Sequence, residues 1–262
     1  MNGEPEPPAG FIELDVRDAR AVVASAHADA LRQVLLRSTL YEYAARHPLG
    51  HPLAGRGVAY AVPLPGETSR VVVRHNRHGG LLARLTGDLF LPPTRAPHEL
   101  AMSRRLLANG IATPDFVAYV VYRVGPAFRR SDVATREIPN ASDLSTAIMS
   151  RGDAHRRRAL SATAQLVARL SATGARHHDL NVKNILLAER DDRTEALVLD
   201  VDRVEFLDAA ARPVDQNLAR LLRSARKWRH HYGAFVTEAE LSELAERARE
   251  LTGASGTPST RS

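Results

Sequence analysis

With 262 residues, 44% hydrophobic and 25% charged, the chain is long enough for one two-lobed domain with a sizeable core, and its composition is that of an ordinary globular protein. The absence of cysteine excludes disulfides, thiolate metal sites and cysteine nucleophiles. The net charge of +6 is carried almost wholly by arginine, since Lys183 and Lys227 are the only lysines among 36 basic residues. The basic residues are not interleaved with aromatics, so no nucleic-acid partner is expected. No apolar run reaches the length of a spanning helix.

Residues 1–10 are acidic and proline-rich, without the basic and apolar segments of a secretory signal. They read as a disordered end, as does the polar tail 253–262, and the chain is expected in the cytoplasm. Residues 16–46 carry a helical pattern in Val22, Leu31, Val34, Leu35 and Leu40. Beyond the turn at Gly55 and Gly57 the period shortens. Val58–Leu64 and Val71–Arg74 predict two strands joined across Pro65-Gly66. A helix is expected over 95–109, with Pro97 in its first turn and Asn109-Gly110 as its stop. Strands follow near Phe116–Val124 and Val133–Ile138, then a long helix over 153–173 ended by Gly174. Ile185–Leu187 and Ala196–Leu199 predict short buried strands, and two helices over 215–231 and 237–251 close the chain. The order is strand-rich first and helix-rich second, with a boundary near Pro139–Ala141. It predicts an N-terminal helical segment plus strand-rich N-lobe over 11–139 and a helical C-lobe over 140–252.

The chemistry concentrates in His177-His178-Asp179-Leu180-Asn181-Val182-Lys183-Asn184 and the later Asp200. Asp179 and Asn184 stand five apart where a helix gives way to a strand, and a second apolar strand runs into Asp200. Transfer of a phosphoryl group to a hydroxyl needs a carboxylate beside the acceptor and hard oxygen ligands for the Mg2+ on ATP. Asp179 suits the first role; Asn184 and Asp200 suit the second. Each alone is an ordinary turn former or strand cap, but the joint spacing predicts an α+β, protein-kinase-like bilobal fold. Asn181 and Lys183 lie within the loop, Lys183 facing either the phosphoryl group or solvent. Asp202 competes with Asp200 for the metal, because the glycine of the Asp-Phe-Gly motif is missing.

Gly55 and Gly57 would let backbone amides approach nucleotide phosphates. No lysine precedes Lys183, so the usual phosphate-holding lysine is absent and Arg74 stands where it is expected. Glu99 shares a helical stripe with Met102 and Leu106, which predicts an Arg74–Glu99 ion pair.

His177–Asn184 resembles the catalytic loop of the lipopolysaccharide kinase family, in particular its 3-deoxy-D-manno-octulosonic acid (Kdo) kinases. Val73-Arg74-His75 with Arg77-His78-Gly79-Gly80, Glu99, Leu199–Arg203 and Asn217–Ser224 extend the likeness over roughly residues 55–230. The resemblance implies transfer of the ATP γ-phosphate to Kdo of the lipopolysaccharide inner core. Its partner would be a lipid-linked acidic sugar, Kdo-lipid A. The basic residues of 217–229, near Leu218, Leu221, Leu222 and Trp228, would then touch an anionic leaflet on the inner face of the inner membrane. A heptose kinase, an aminoglycoside-type kinase and a non-catalytic pseudokinase remain alternatives.

Overall fold

The structure, a computed structural model, describes residues 6–53, 59–75, 94–125, 128–190, 193–208 and 211–254. It comprises two compact units, residues 1–101 with 115–137, and residues 102–114 with 138–262.

The first unit is built on seven antiparallel strands: β1 (Phe11–Val16), β2 (Ala19–Ala24), β3 (His51–Leu53), β4 (Ala59–Pro63), β5 (Arg70–His75), β6 (Phe116–Val124) and β7 (Phe128–Arg136). They lie in the order β1-β2-β6-β7-β5-β4-β3. Helices α1 (Ala28–Leu35) and α2 (Leu40–Arg46) cover one face, where Leu31, Val34, Leu35 and Leu40 pack on Val71, Val73, Val117 and Val120. Ala96 and Leu100, at the start of α3 (Ala96–Ala108), pack with Val22, Phe116 and Val133 in a separate cluster. Valines at successive positions of β2 thus serve different clusters.

The predicted strands at 58–64, 71–74 and 116–124 and the helix at 95–109 are present within a few residues. The single helical pattern expected over 16–46 is instead one strand and two short helices, preceded by a further strand. The reason is burial on both sides: Ala21, Val22 and Val23 are all inaccessible, so β2 shows no strand alternation. β1 and β2 turn tightly through Arg17, whose φ is +56°. α2 starts at a reciprocal cap in which Thr39 and Glu42 bond each other's backbone N–H.

The second unit centres on α5 (Asp153–Ala172), with α4 (Leu144–Met149), α6 (Val214–Tyr232) and α7 (Glu238–Ala254). Two small sheets accompany it: β8 (Ala141–Asp143), β10 (Ile185–Arg190) and β11 (Arg193–Val198) in the order β11-β10-β8, and β9 (Ala175–His177) paired with β12 (Val204–Phe206). Leu106, Ile148, Leu166, Leu170, Leu187 and Leu221 belong to its core. Four-turn and longer helices appear where the periodicity placed them. The three-residue strands and α4 were not predicted, being too short to show a period.

Candidate active site

The loop between β9 and β10 owes its shape to burial. Leu180 and Val182 are inserted into the core, which leaves Asp179 and Lys183 half-buried at the surface. His177 is fully buried with both ring nitrogens engaged. Nδ1 accepts the Asp179 N–H at 3.1 Å, so Nε2 carries the proton and donates to the Leu199 carbonyl at 3.0 Å. Burial pushes this imidazole below its usual range, against the Leu199 carbonyl and the charges of Asp200, Asp179 and Asp202.

Asparagines close the loop on itself. Asn181 donates from Nδ2 to the Asp179 carbonyl at 3.0 Å and accepts the Lys183 N–H at 2.9 Å. Asn184 donates from Nδ2 to the same carbonyl at 2.9 Å, and its Oδ1 accepts no hydrogen bond from a described residue. The Leu199 N–H bonds the Asn184 carbonyl at 2.9 Å and so ties the loop to the segment that ends β11. Asp200 follows in the left-handed region, φ 52° and ψ 48°, a conformation that aspartate tolerates better than most residues. Its carboxylate is exposed and takes no hydrogen bond from a described residue. Asp202, by contrast, lies half-buried with the Arg203 guanidinium 3.8 Å away.

Lys183 extends to Asp143, the residue capping α4, with Nζ 2.8 Å from Oδ2 and 5.2 Å from the centre of the Trp228 ring. The other carboxylate oxygen accepts from the Ser145 hydroxyl at 2.5 Å and from the Thr146 N–H and hydroxyl at 3.0 and 3.1 Å. Burial raises the Asp143 carboxyl, but Lys183, Ser145 and Thr146 outweigh it and hold the group below the usual carboxylate range.

Sequence reasoning assigned no role to Asp143, nor to two side chains of α6. Asn217 is fully buried, accepts the His177 N–H at 3.0 Å, and donates to the Ala175 carbonyl at 3.0 Å and the Ser171 hydroxyl at 3.3 Å. Ser224 accepts the Val182 N–H at 3.3 Å. The available signals were an asparagine on the apolar stripe of a helix and the place of Asn217–Ser224 in the family likeness. Leu218 and Leu221 are 1% exposed, so they face the core and cannot meet a leaflet. The exposed apolar side chains of the second unit include Met149, Tyr232 and Phe235.

In the first unit the Arg74 guanidinium donates to Glu99 Oε1, and Glu99 is buried. The expected ion pair is therefore formed. Neighbouring strand residues point to opposite faces. His75 accordingly turns away from Arg74 and stacks on the Tyr41 ring with centroids 3.6 Å apart. Its Nδ1 lies 2.5 Å from the fully buried Asp132, whose other oxygen accepts the Tyr41 N–H at 3.0 Å. Gly55, Gly57, Arg77 and Arg84 lie outside the described residues.

The strand-rich unit, the helical unit and this loop define a kinase-like phosphotransferase. A sequence model of the lipopolysaccharide kinase (Kdo/WaaP) family matches residues 53–246. Curated relatives named 3-deoxy-D-manno-octulosonic acid kinase agree with it. That of Vibrio parahaemolyticus is 29% identical over 71% of this chain and 79% of its own length; that of Photobacterium damsela subsp. piscicida is 30% identical over 70% and 75%. That of Xylella fastidiosa strain M12 is 29% identical over 79% and 81%. Among solved structures, WaaP in complex with acyl carrier protein matches with 18% identity and a TM-score of 0.49, covering 88% of this chain and 99% of that one. The chain belongs to the lipopolysaccharide kinase (Kdo/WaaP) family and is a sugar/lipopolysaccharide kinase.

Proposed function

We propose that the chain transfers the γ-phosphate of ATP to a hydroxyl of Kdo in the lipopolysaccharide inner core. Asp179 orients the acceptor hydroxyl and takes its proton as the oxygen attacks. Asn184 Oδ1 and the Asp200 carboxylate are hard oxygens of the type Mg2+ prefers, and these two residues would hold it. When bound, Mg2+ neutralises charge on the phosphates. Arg74, braced by Glu99, would grip the nucleotide phosphates, and Gly55 and Gly57 would bring backbone amides to them. Asn181 spends its side chain on the Asp179 carbonyl and the Lys183 N–H, which assigns it to shaping the loop.

The observation that carries this reading is selective freedom. The Asn181 side chain and Asn184 Nδ2 are spent on the loop's own backbone, whereas Asn184 Oδ1 and the Asp200 carboxylate take no hydrogen bond from a described residue. Kdo as acceptor is supported by the names of the curated relatives. No helix among the described residues is long and apolar enough to cross a membrane. We place the chain in the cytoplasm, meeting the inner face of the inner membrane peripherally through Tyr232, Phe235 and the surrounding basic residues of the second unit.

The test is purified protein with labelled ATP and a panel of Kdo-lipid A, heptosylated core and free aminosugars. Label is expected on the Kdo-bearing lipid, with transfer abolished by a chelator and restored by Mg2+. Asp179→Asn should lower turnover by ~10²–10⁴-fold while nucleotide still binds. Asp200→Asn keeps a side chain that tolerates the left-handed backbone and should weaken metal-nucleotide binding as well. Near-normal turnover in Asp179→Asn, or label on an aminosugar alone, would sink the assignment.

A further inference from the structure

The cations of α6 are unequally paired. Arg226 and Arg229 are both engaged by Glu238. The exposed side chains of Arg220, Arg223 and Lys227 meet no acid among the described residues. Their spacing of three and four places them in one stripe along the helix. That stripe borders the helix edge carrying Ser224 and Trp228, whose side chains touch the catalytic loop at Val182 and Lys183.

Lys183 sits over this edge. Its ammonium spends one N–H on Asp143, and two of its three donors remain for a ligand. Asp143 is held in turn by Ser145 and Thr146, so the cation is fixed in advance and loses little freedom on binding. The Trp228 ring steadies the ammonium without adding a second counter-charge. Of the four cations Lys183, Arg220, Arg223 and Lys227, only Lys183 is paired with a carboxylate among the described residues. A stripe serving only solubility has no need to abut that loop.

We propose that Lys183 with Arg220, Arg223 and Lys227 forms the subsite that receives the anionic groups of the acceptor, a sugar carboxylate or a lipid phosphate. This rests on the acceptor reading above, and it makes Lys183 an acceptor-binding residue whose partner is not the transferred phosphoryl group.

Two double variants of the full chain remove equal charge from one helix, the first from cations that meet no acid among the described residues and the second from the two held by Glu238: Arg220→Gln with Arg223→Gln, and Arg226→Gln with Arg229→Gln. Binding of Kdo-bearing, bisphosphorylated lipid A in neutral detergent micelles is measured without nucleotide, and acceptor KM and ATP KM are measured during turnover. The first pair should weaken lipid binding and raise acceptor KM by about five- to tenfold, leaving ATP KM unchanged, while the second stays within about twofold. Lys183→Met should act like the first pair. An acceptor lacking its phosphates, or one with its carboxylate reduced to an alcohol, identifies the anion: whichever modification erases the difference between the pairs names the group bound. Equal effects of the two pairs, or none, overturn the subsite. A persistent difference in lipid binding with no transfer to Kdo would uphold the subsite and remove the acceptor reading instead.

Discussion

His177 is buried among carboxylates with one nitrogen accepting and the other donating, so a second proton would break the bond from Asp179 N–H and charge the core. Its folded-state affinity for protons lies below that of the unfolded chain, where histidine titrates near ~6.5. A lowered pKa means that the unfolded chain binds the proton more readily. The stability this imidazole contributes is therefore complete above that pH and is lost as pH falls through it. Urea midpoints measured from pH 7.5 to pH 5.5 should fall more steeply for the wild type than for His177→Asn. Parallel slopes would show that His177 protonates in the fold without cost. At this scale the Arg74–Glu99 pair, expected from the helical stripe of Glu99, is formed, and Asp179, Asn184 and Asp200 were singled out by spacing as the candidates proposed above. What stayed hidden was commitment. No spacing reveals that Asn181 is turned inward on its own loop, or that Lys183 is tied to a carboxylate forty residues earlier.

Among the elements, α6 holds the loop from behind. Asn217 joins α5, β9 and α6 through three hydrogen bonds, and Ser224 takes a fourth from Val182. Leu218, Leu221 and Ala225 bury the same side of the helix. Replacing Asn217 by Leu keeps the volume and strands the His177 N–H and the Ala175 carbonyl in the core. Each buried group left unpaired costs about 1–3 kcal/mol, and the loss should appear as a lower denaturation midpoint. Turnover should fall too, because the His177 backbone frames Asp179. Asn217→Asp retains the acceptor for His177 and should keep more activity than Asn217→Leu; equal activity in the two would deny Asn217 its positioning role. The long helices were legible because their apolar period repeats several times. β8, β9 and β12 have three residues each, too few for any period, and exist only because partners pair with them.

At the scale of the whole molecule, the segment before the family match is the least legible part of the sequence, and it supplies much of the first unit. The match begins at residue 53, whereas β1, β2, α1 and α2 all precede it. These elements provide more than half of the residues in the cluster that covers one face of the seven-stranded sheet. The Tyr41 N–H bonds the buried Asp132 carboxylate at 3.0 Å, and the Leu40 N–H bonds the Tyr122 hydroxyl at 2.8 Å. The sequence hid this because β2 is buried on both faces and because Asp132 gives no sign of being fully inaccessible. A chain starting at His51 would open Val71, Val73, Val117 and Val120 to water, leave β6 as a bare sheet edge, and strip the Asp132 carboxylate of a donor. It should accumulate as aggregate with no measurable kinase activity. A point variant gives the same test without truncation: Leu40→Ala, at a position with 0% exposure, should cost about 2–5 kcal/mol. Leu36→Ala, at 58% exposure on the same pair of helices' outer surface, should stay within about 0.5 kcal/mol of the wild type. A soluble and active chain lacking residues 1–50, or equal denaturation midpoints for Leu40→Ala and Leu36→Ala, would show that the sheet does not depend on these helices for its cover.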